Sequence, residues 1–164
     1  MRFVKLALIS GIILFIVIYL FSLIIPSRIR ISRAVNISVP KDSLVKAIAD
    51  LQQWQHWNEL VNNPDLTNKQ FTDNLFTSVQ LKVTKEAQVG DTLITAWQQQ
   101  NARVLTSGFT WEGEDDKLVL QWYFDVKLRW YPWEKFGSIV FDKQLGPPME
   151  RSLANLKKLL ERNP

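Results

Sequence analysis

Few residues in this 164-residue chain have the types and spacing for chemistry. His56 is the only histidine, and in QQWQHWNEL (52–60) it stands between Trp54 and Trp57. A histidine beside aromatics can serve as a general base. It needs a nucleophile as well as an orienting acid beside it, and no nucleophile-base-orienter set can be completed with this one histidine. At helical spacing Leu51, Trp54, Trp57 and Val61 share a face, while Gln53, His56 and Glu59 point elsewhere. The spacing therefore predicts buried tryptophans and a surface histidine.

The acidic run Glu112, Glu114, Asp115 and Asp116 resembles a carboxylate site on paper, but it lies in a predicted hairpin turn and lacks the calcium-loop spacing. Asp125 and Arg129 are the remaining polar candidates for an enzyme. In KLVLQWYFDV, Leu118, Leu120, Trp122, Phe124 and Val126 alternate onto one face, which puts Asp125 on the other. With no cysteine and one histidine, thiolate and histidine-rich metal sites are excluded. No metal and no cofactor is expected.

Charge is unevenly placed. The first forty residues hold Arg2, Lys5, Arg28, Arg30 and Arg33 and no acid, whereas the rest of the chain is nearly balanced. The net charge of +4 thus resides in the N-terminal segment, and no nucleic-acid-binding patch is expected on the folded domain.

Residues 6–25, LALISGIILFIVIYLFSLII, carry no charge. Twenty residues span about 30 Å as a helix, the thickness of a bilayer's hydrocarbon core. Their Leu, Ile, Val and Phe side chains favour insertion by roughly −4 to −9 kcal/mol. The apolar stretch is longer than a signal-peptide core and ends in Ile-Pro-Ser-Arg rather than small residues. An uncleaved, single-pass anchor over 1–27 is expected, contacting the bilayer through 6–25, with a folded domain over 28–164. Basic residues flank both ends and nearly cancel; the N-terminal flank tips the reading toward a domain outside the cytoplasm.

The elements that must position any site then come in order. RIRISRAVNISV (28–39) alternates as a strand, with Arg33 the exception on its apolar face. PKDSLVKAIADL reads as a helix capped by Asp42 or Ser43, with Leu44, Ile48 and Leu51 on one stripe. NNPDLTNK is a loop. Leu75, Thr77, Val79, Leu81 and Val83 read as one strand face. TLITAWQQQ, RVLTSGFTWEG and KLVLQWYFDV follow as strands joined by short turns, hence antiparallel hairpins. PPMERSLANLKKLLERN (147–163) is a long helix whose Met149, Leu153, Leu156 and Leu160 form a stripe for a sheet. The class is α+β, one curved antiparallel sheet gripping one long C-terminal helix.

RAVNISVPKDSLVKAIADLQQWQHW resembles the opening of the SRPBCC, or polyketide cyclase/dehydrase-like, proteins. Arg33, Val35, Ile37, Pro40, Asp50, Leu51, Trp54 and Trp57 carry the likeness. WYFDVKLRWYPWEKFGSIVFDKQLGPPMERSLANLKKLLE resembles that family's last strand, Phe-rich segment, Asp-Lys-x-Leu-Gly-Pro joint and Leu-Lys-rich final helix, through Trp122, Phe124, Asp125, Trp130, Pro132, Asp142, Lys143, Leu145, Gly146, Pro147, Glu150, Leu153, Asn155, Leu156 and Lys157. The middle, 58–116, departs: relatives carry a Gly-rich strand pair there, and this chain has Gly90, Gly108 and Gly113. Strand count and cavity size stay open. The resemblance implies the helix-grip fold of START and birch-pollen-allergen proteins, and a bacterial inner-membrane protein, since many bacterial relatives carry one N-terminal membrane helix.

It implies no reaction. The family suggests binding of a lipid or other apolar small molecule between sheet and helix, lined by Trp97, Phe109, Trp111, Trp122, Phe124, Leu153 and Leu156. The same side chains could simply fill a closed core. An envelope protein-interaction module and a cyclase- or hydrolase-type enzyme are the alternatives.

Overall fold

The computed structural model describes residues 2–24, 26–100, 102–114, 116–129 and 131–162. Ile25, Asp115, Trp130 and Asn163, which entered the readings above, lie outside them. Helix α1 (Arg2–Ile24) is followed at once by β1 (Arg28–Ile37). Helix α2 (Lys41–Ala49), a 3-10 turn (Leu51–His56) and short α3 (Glu59–Asn62) come next. The strands are β2 (Gln70–Phe71), β3 (Leu75–Thr77), β4 (Leu81–Val89), β5 (Thr92–Gln99), β6 (Leu105–Glu114) and β7 (Lys117–Lys127), and α4 (Pro132–Glu161) ends the chain. The seven strands form one antiparallel sheet in the order β1-β7-β6-β5-β4-β3-β2. The fold class is thus α+β, a curved antiparallel sheet holding a long C-terminal helix.

The inner face of the sheet follows from alternation. In β7, Leu118, Leu120, Trp122, Phe124 and Val126 are buried, and the residues between them are exposed or half-buried. Across the β1–β7 register Ile31 meets Phe124 and Val35 meets Leu120. Against this face lie Met149, Leu153 and Leu156 of α4, all buried, with Leu160 half-buried at the end of the stripe.

The 3-10 turn explains the tryptophans. At about three residues per turn, side chains three apart eclipse, so Leu51, Trp54 and Trp57 line up inward and all three are buried. Trp54 Nε1 donates to the Ile48 carbonyl at 3.0 Å and Trp57 Nε1 to that of Ala47 at 3.3 Å. Asp50 caps the turn by accepting from the Gln52 amide. His56 is exposed.

Three local expectations are corrected. The stretch 75–83 is two strands, because Ser78 closes a tight turn: its amide and hydroxyl donate to the Leu81 carbonyl, and its hydroxyl accepts from the Leu81 amide. The alternation flips there, so Phe76, Leu81 and Val83 are buried while Val79 is exposed. Helix α2 begins at Lys41 without a side-chain cap, so Asp42 sits in its first turn and complements the helix dipole instead. Finally, α4 begins at Pro132, fifteen residues before the expected start, and the Asp-Lys-x-Leu-Gly-Pro joint is helical.

Pro147 and Pro148 therefore stand inside α4. Each lacks the N–H that would bond the carbonyl four residues earlier, a defect that ordinarily breaks a helix. Arg33 bridges the defect from β1: Nη2 donates to Asp142 at 3.0 Å and Nε to Glu150 at 2.5 Å. Its guanidinium fills the space above Gly146, where an added Cβ would collide with Nη2. The Glu150 hydrogen bond, followed by the Asp142 contacts, pushes the Arg33 pKa above its ordinary value. The one charge on the apolar face of β1 is thus the tie between sheet and helix.

Candidate ligand cleft

The core contains a chain of aromatic rings. Trp54 stacks on Trp97 at 5.9 Å, Phe109 stacks on Trp122 at 4.9 Å, and Trp97 meets Phe124 edge-on at 5.1 Å. Two indole N–H groups in this core are satisfied by short polar side chains. Trp97 Nε1 donates to Thr95 Oγ1 at 3.0 Å, and Trp122 Nε1 donates to Ser107 Oγ at 2.8 Å. Ser107 Oγ in turn donates a hydrogen bond to the Tyr123 carbonyl at 2.8 Å. Buried hydroxyls here serve packing, since each is consumed by a neighbouring donor or acceptor.

Beside this core a cleft of about 1290 Å³ opens between the sheet and the N-terminal half of α4. Trp97 and Phe124 form its floor, Leu81, Leu105, Val126 and Leu128 its sheet side, and Phe141 and Leu145 its helix side. Leu60 and Leu66 close it from α3 and the following loop. Its rim is polar: Asn63, Gln80, Gln99 and Gln100 on one side, Arg28, Arg103, Lys127 and Glu134 on the other. Such a lining, apolar below and polar at the mouth, suits a molecule with an apolar body and a polar end.

Of the side chains expected to line a cavity, the structure brings Trp97 and Phe124 to the cleft. Phe109, Trp111, Trp122, Leu153 and Leu156 are buried in the packed core beneath it and are not among its lining residues. Sequence reasoning missed Leu60, Leu66, Leu128, Phe141 and Leu145. Leu66 was visible as the one large apolar side chain in the polar loop NNPDLTNK. Phe141 and Leu145 were hidden because 128–146 was not read as a helix.

The acids near the mouth are committed to arginines. Asp125 takes both Nε and Nη2 of Arg30 at 2.7 Å on the outer face, where the Arg30 guanidinium lies 4.0 Å from the Tyr123 ring centre. That hydrogen-bonded carboxylate holds the Arg30 pKa above its usual value. Glu134 accepts from Arg103 Nη2 at 3.4 Å and from the Arg129 amide at 2.7 Å. The described members of the acidic hairpin, Glu112, Glu114 and Asp116, are exposed. Among the described residues no cluster of three or more acidic or histidine side chains could hold a metal ion.

No family model matches this chain, and no curated protein matches it by sequence. Solved structures do match. A START superfamily protein from Mycobacterium smegmatis is 14% identical, with a TM-score of 0.59 over 81% of this chain and 97% of that one. CalU16 from Micromonospora echinospora is 13% identical, with a TM-score of 0.57 over 82% of this chain and 76% of that one. Norcoclaurine synthase from Thalictrum flavum, in complex with dopamine and hydroxybenzaldehyde, is 8% identical, with a TM-score of 0.62 over 88% of this chain and 92% of that one. At these identities the likeness is one of fold: the domain is a START-like helix-grip domain. One further helix, Phe3–Ile24, is long and apolar enough to cross a membrane by length and composition.

Proposed function

We propose that the chain is a single-pass membrane protein, anchored by residues 1–27, whose helix-grip domain (28–164) binds an apolar or amphiphilic small molecule, a lipid foremost, without transforming it. The observation that carries the reading is the cleft of about 1290 Å³ beside the sheet edge that follows α1. Its volume exceeds the ~300–1,000 Å³ common for small-molecule sites, enough for a long acyl or polycyclic body. Trp97 and Phe124 are the binding residues best placed to contact it. Phe109, Trp111, Trp122, Leu153 and Leu156 support that floor from below.

A non-catalytic role is favoured because the cleft presents amides and arginine-engaged carboxylates rather than a nucleophile with a base. His56 lies exposed on the 3-10 turn and is not among the cleft-lining residues. The basic flank of α1 supports an inner-membrane protein with its domain outside the cytoplasm.

The test is native mass spectrometry of the full-length chain released from nanodiscs. A stoichiometric lipid or other apolar adduct that survives release supports binding. An adduct-free chain that co-purifies with a protein partner points instead to an interaction module.

A further inference from the structure

The sheet edge at the cleft mouth is also the part of the domain nearest α1. Ile24 and Arg28 are four residues apart, a reach of at most about 14 Å. The connection is pinned twice: the Leu128 amide donates to the Ser27 carbonyl at 2.9 Å, and Lys135 Nζ donates to the Ser22 carbonyl, in the last turn of α1, at 2.9 Å. The first turn of α4 therefore sits at the depth of the last turn of α1.

Two features of this end are unusual for a surface facing water alone. Arg28 and Lys127 are direct partners in the β1–β7 register, so two cations share one face side by side. Like charges directly opposite one another destabilise a strand pair. Among the described residues no carboxylate lies within ion-pair distance of either. The second feature is Trp133, 65% exposed and stacked on Tyr131 at 4.8 Å with an interplanar angle of 8°. It is two residues from Lys135, about 3 Å of helical rise. An exposed tryptophan stacked on a half-buried tyrosine at that depth matches the aromatic belt found at membrane–water interfaces.

We propose that this end of the domain is a membrane-docking rim: Arg28 and Lys127 bind anionic phospholipid headgroups while the Tyr131–Trp133 pair enters the headgroup layer, which seats the cleft mouth on the bilayer. The proposal rests on α1 spanning that bilayer. It gives the cation pair its counter-charge and the exposed indole its medium, and it supplies a direct route for an amphiphile from leaflet to cleft. The two hydrogen bonds to Ser27 and Ser22 hold this rim level with the last turn of α1.

The full-length chain is reconstituted into nanodiscs of phosphatidylcholine alone and of phosphatidylcholine with phosphatidylglycerol. Alkali-resistant incorporation is checked first; a chain that is extracted overturns the anchor and the docking with it. Hydrogen exchange of 127–135 and quenching by headgroup-proximal brominated lipid, wild type against Trp133→Phe, are then read.

Expected is stronger protection in the anionic discs and a quenching component that Trp133→Phe removes. In Arg28→Gln/Lys127→Gln the protected fraction should fall by roughly five-fold per cation removed, with an unchanged melting temperature as the control for folding. An incorporated chain whose 127–135 segment exchanges alike in both lipids overturns the docking while leaving ligand binding in the cleft untouched. Protection that survives the double substitution overturns it as well, and assigns the surface to a protein contact.

Discussion

Arg33 Nε lies 2.5 Å from Glu150 Oε1, joining the inner face of β1 to the turn of α4 that follows the two prolines. Its second arm, to Asp142, grips the turn before them. The Arg33 side chain is one-quarter exposed and both acids are more than half exposed, so solvent screens the pairs. The contribution of the tie is thus geometric as well as electrostatic.

Arg33→Ala should lower stability by about 1–3 kcal/mol, from lost charged hydrogen bonds and lost stem packing. Gly146→Ala expels the same guanidinium, because its Cβ claims the position of Nη2. The two losses therefore should not add. A double-mutant cycle read by chemical denaturation checks this; fully additive values would mean that Gly146 is needed for another reason.

Trp54→Ala and Trp57→Ala should each cost about 3–5 kcal/mol, since both indoles are buried, packed against other aromatic rings and hydrogen-bonded to α2. His56→Ala should stay within about 0.5 kcal/mol. Thermal melts compare the three, and binding of the native ligand is then measured on His56→Ala. A normal melt with lost function would return the histidine to the catalytic list.

Leu156→Asp should unfold the domain, because an unpaired carboxylate in the core costs several kcal/mol against a total of about 5–15. Lys157 lies on the edge of the stripe, half-buried, with Nζ donating to the Asn36 carbonyl at 2.9 Å. Lys157→Asp should therefore cost only about 1–2 kcal/mol. Equal melting temperatures for the two would contradict the observed helix face.

Leu105→Trp should fill part of the cleft with little loss of stability, as Leu105 is half-buried at the cleft wall rather than locked in the core. The amount of co-purified apolar adduct should drop several-fold by native mass spectrometry. An unchanged adduct would place the ligand elsewhere.

The protein should remain in the membrane after alkali treatment, and Edman sequencing should begin at the N-terminus. A chain starting near Arg28 would show that Leu6–Ile25 is removed.

Much of this fold was legible in the sequence, for a physical reason. Alternation in 117–126 and the four-three-four spacing of Met149, Leu153, Leu156 and Leu160 are local patterns imposed by burial of one face. They determine which side of each element turns inward, and with the Trp54/Trp57 pair they specify a sheet holding a helix. The apolar run over 6–25 is legible for the same reason, since a bilayer asks only for length and hydropathy.

What only tertiary structure decided depends on contacts between distant residues. Helix α4 runs through Pro147 and Pro148 because Arg33, more than a hundred residues earlier, holds both sides of the break. Local rules stop a helix at such a pair, so the start at Pro132 was invisible. The cleft was hidden with it: Phe141 and Leu145 face Trp97 and Phe124 only once that helical segment exists. Whether an aromatic residue lines a cavity or fills a core is likewise a matter of what packs above it. Trp97 and Phe124 lie under an opening, and Phe109 and Trp122, alike in sequence pattern, lie under Trp54 and Trp57.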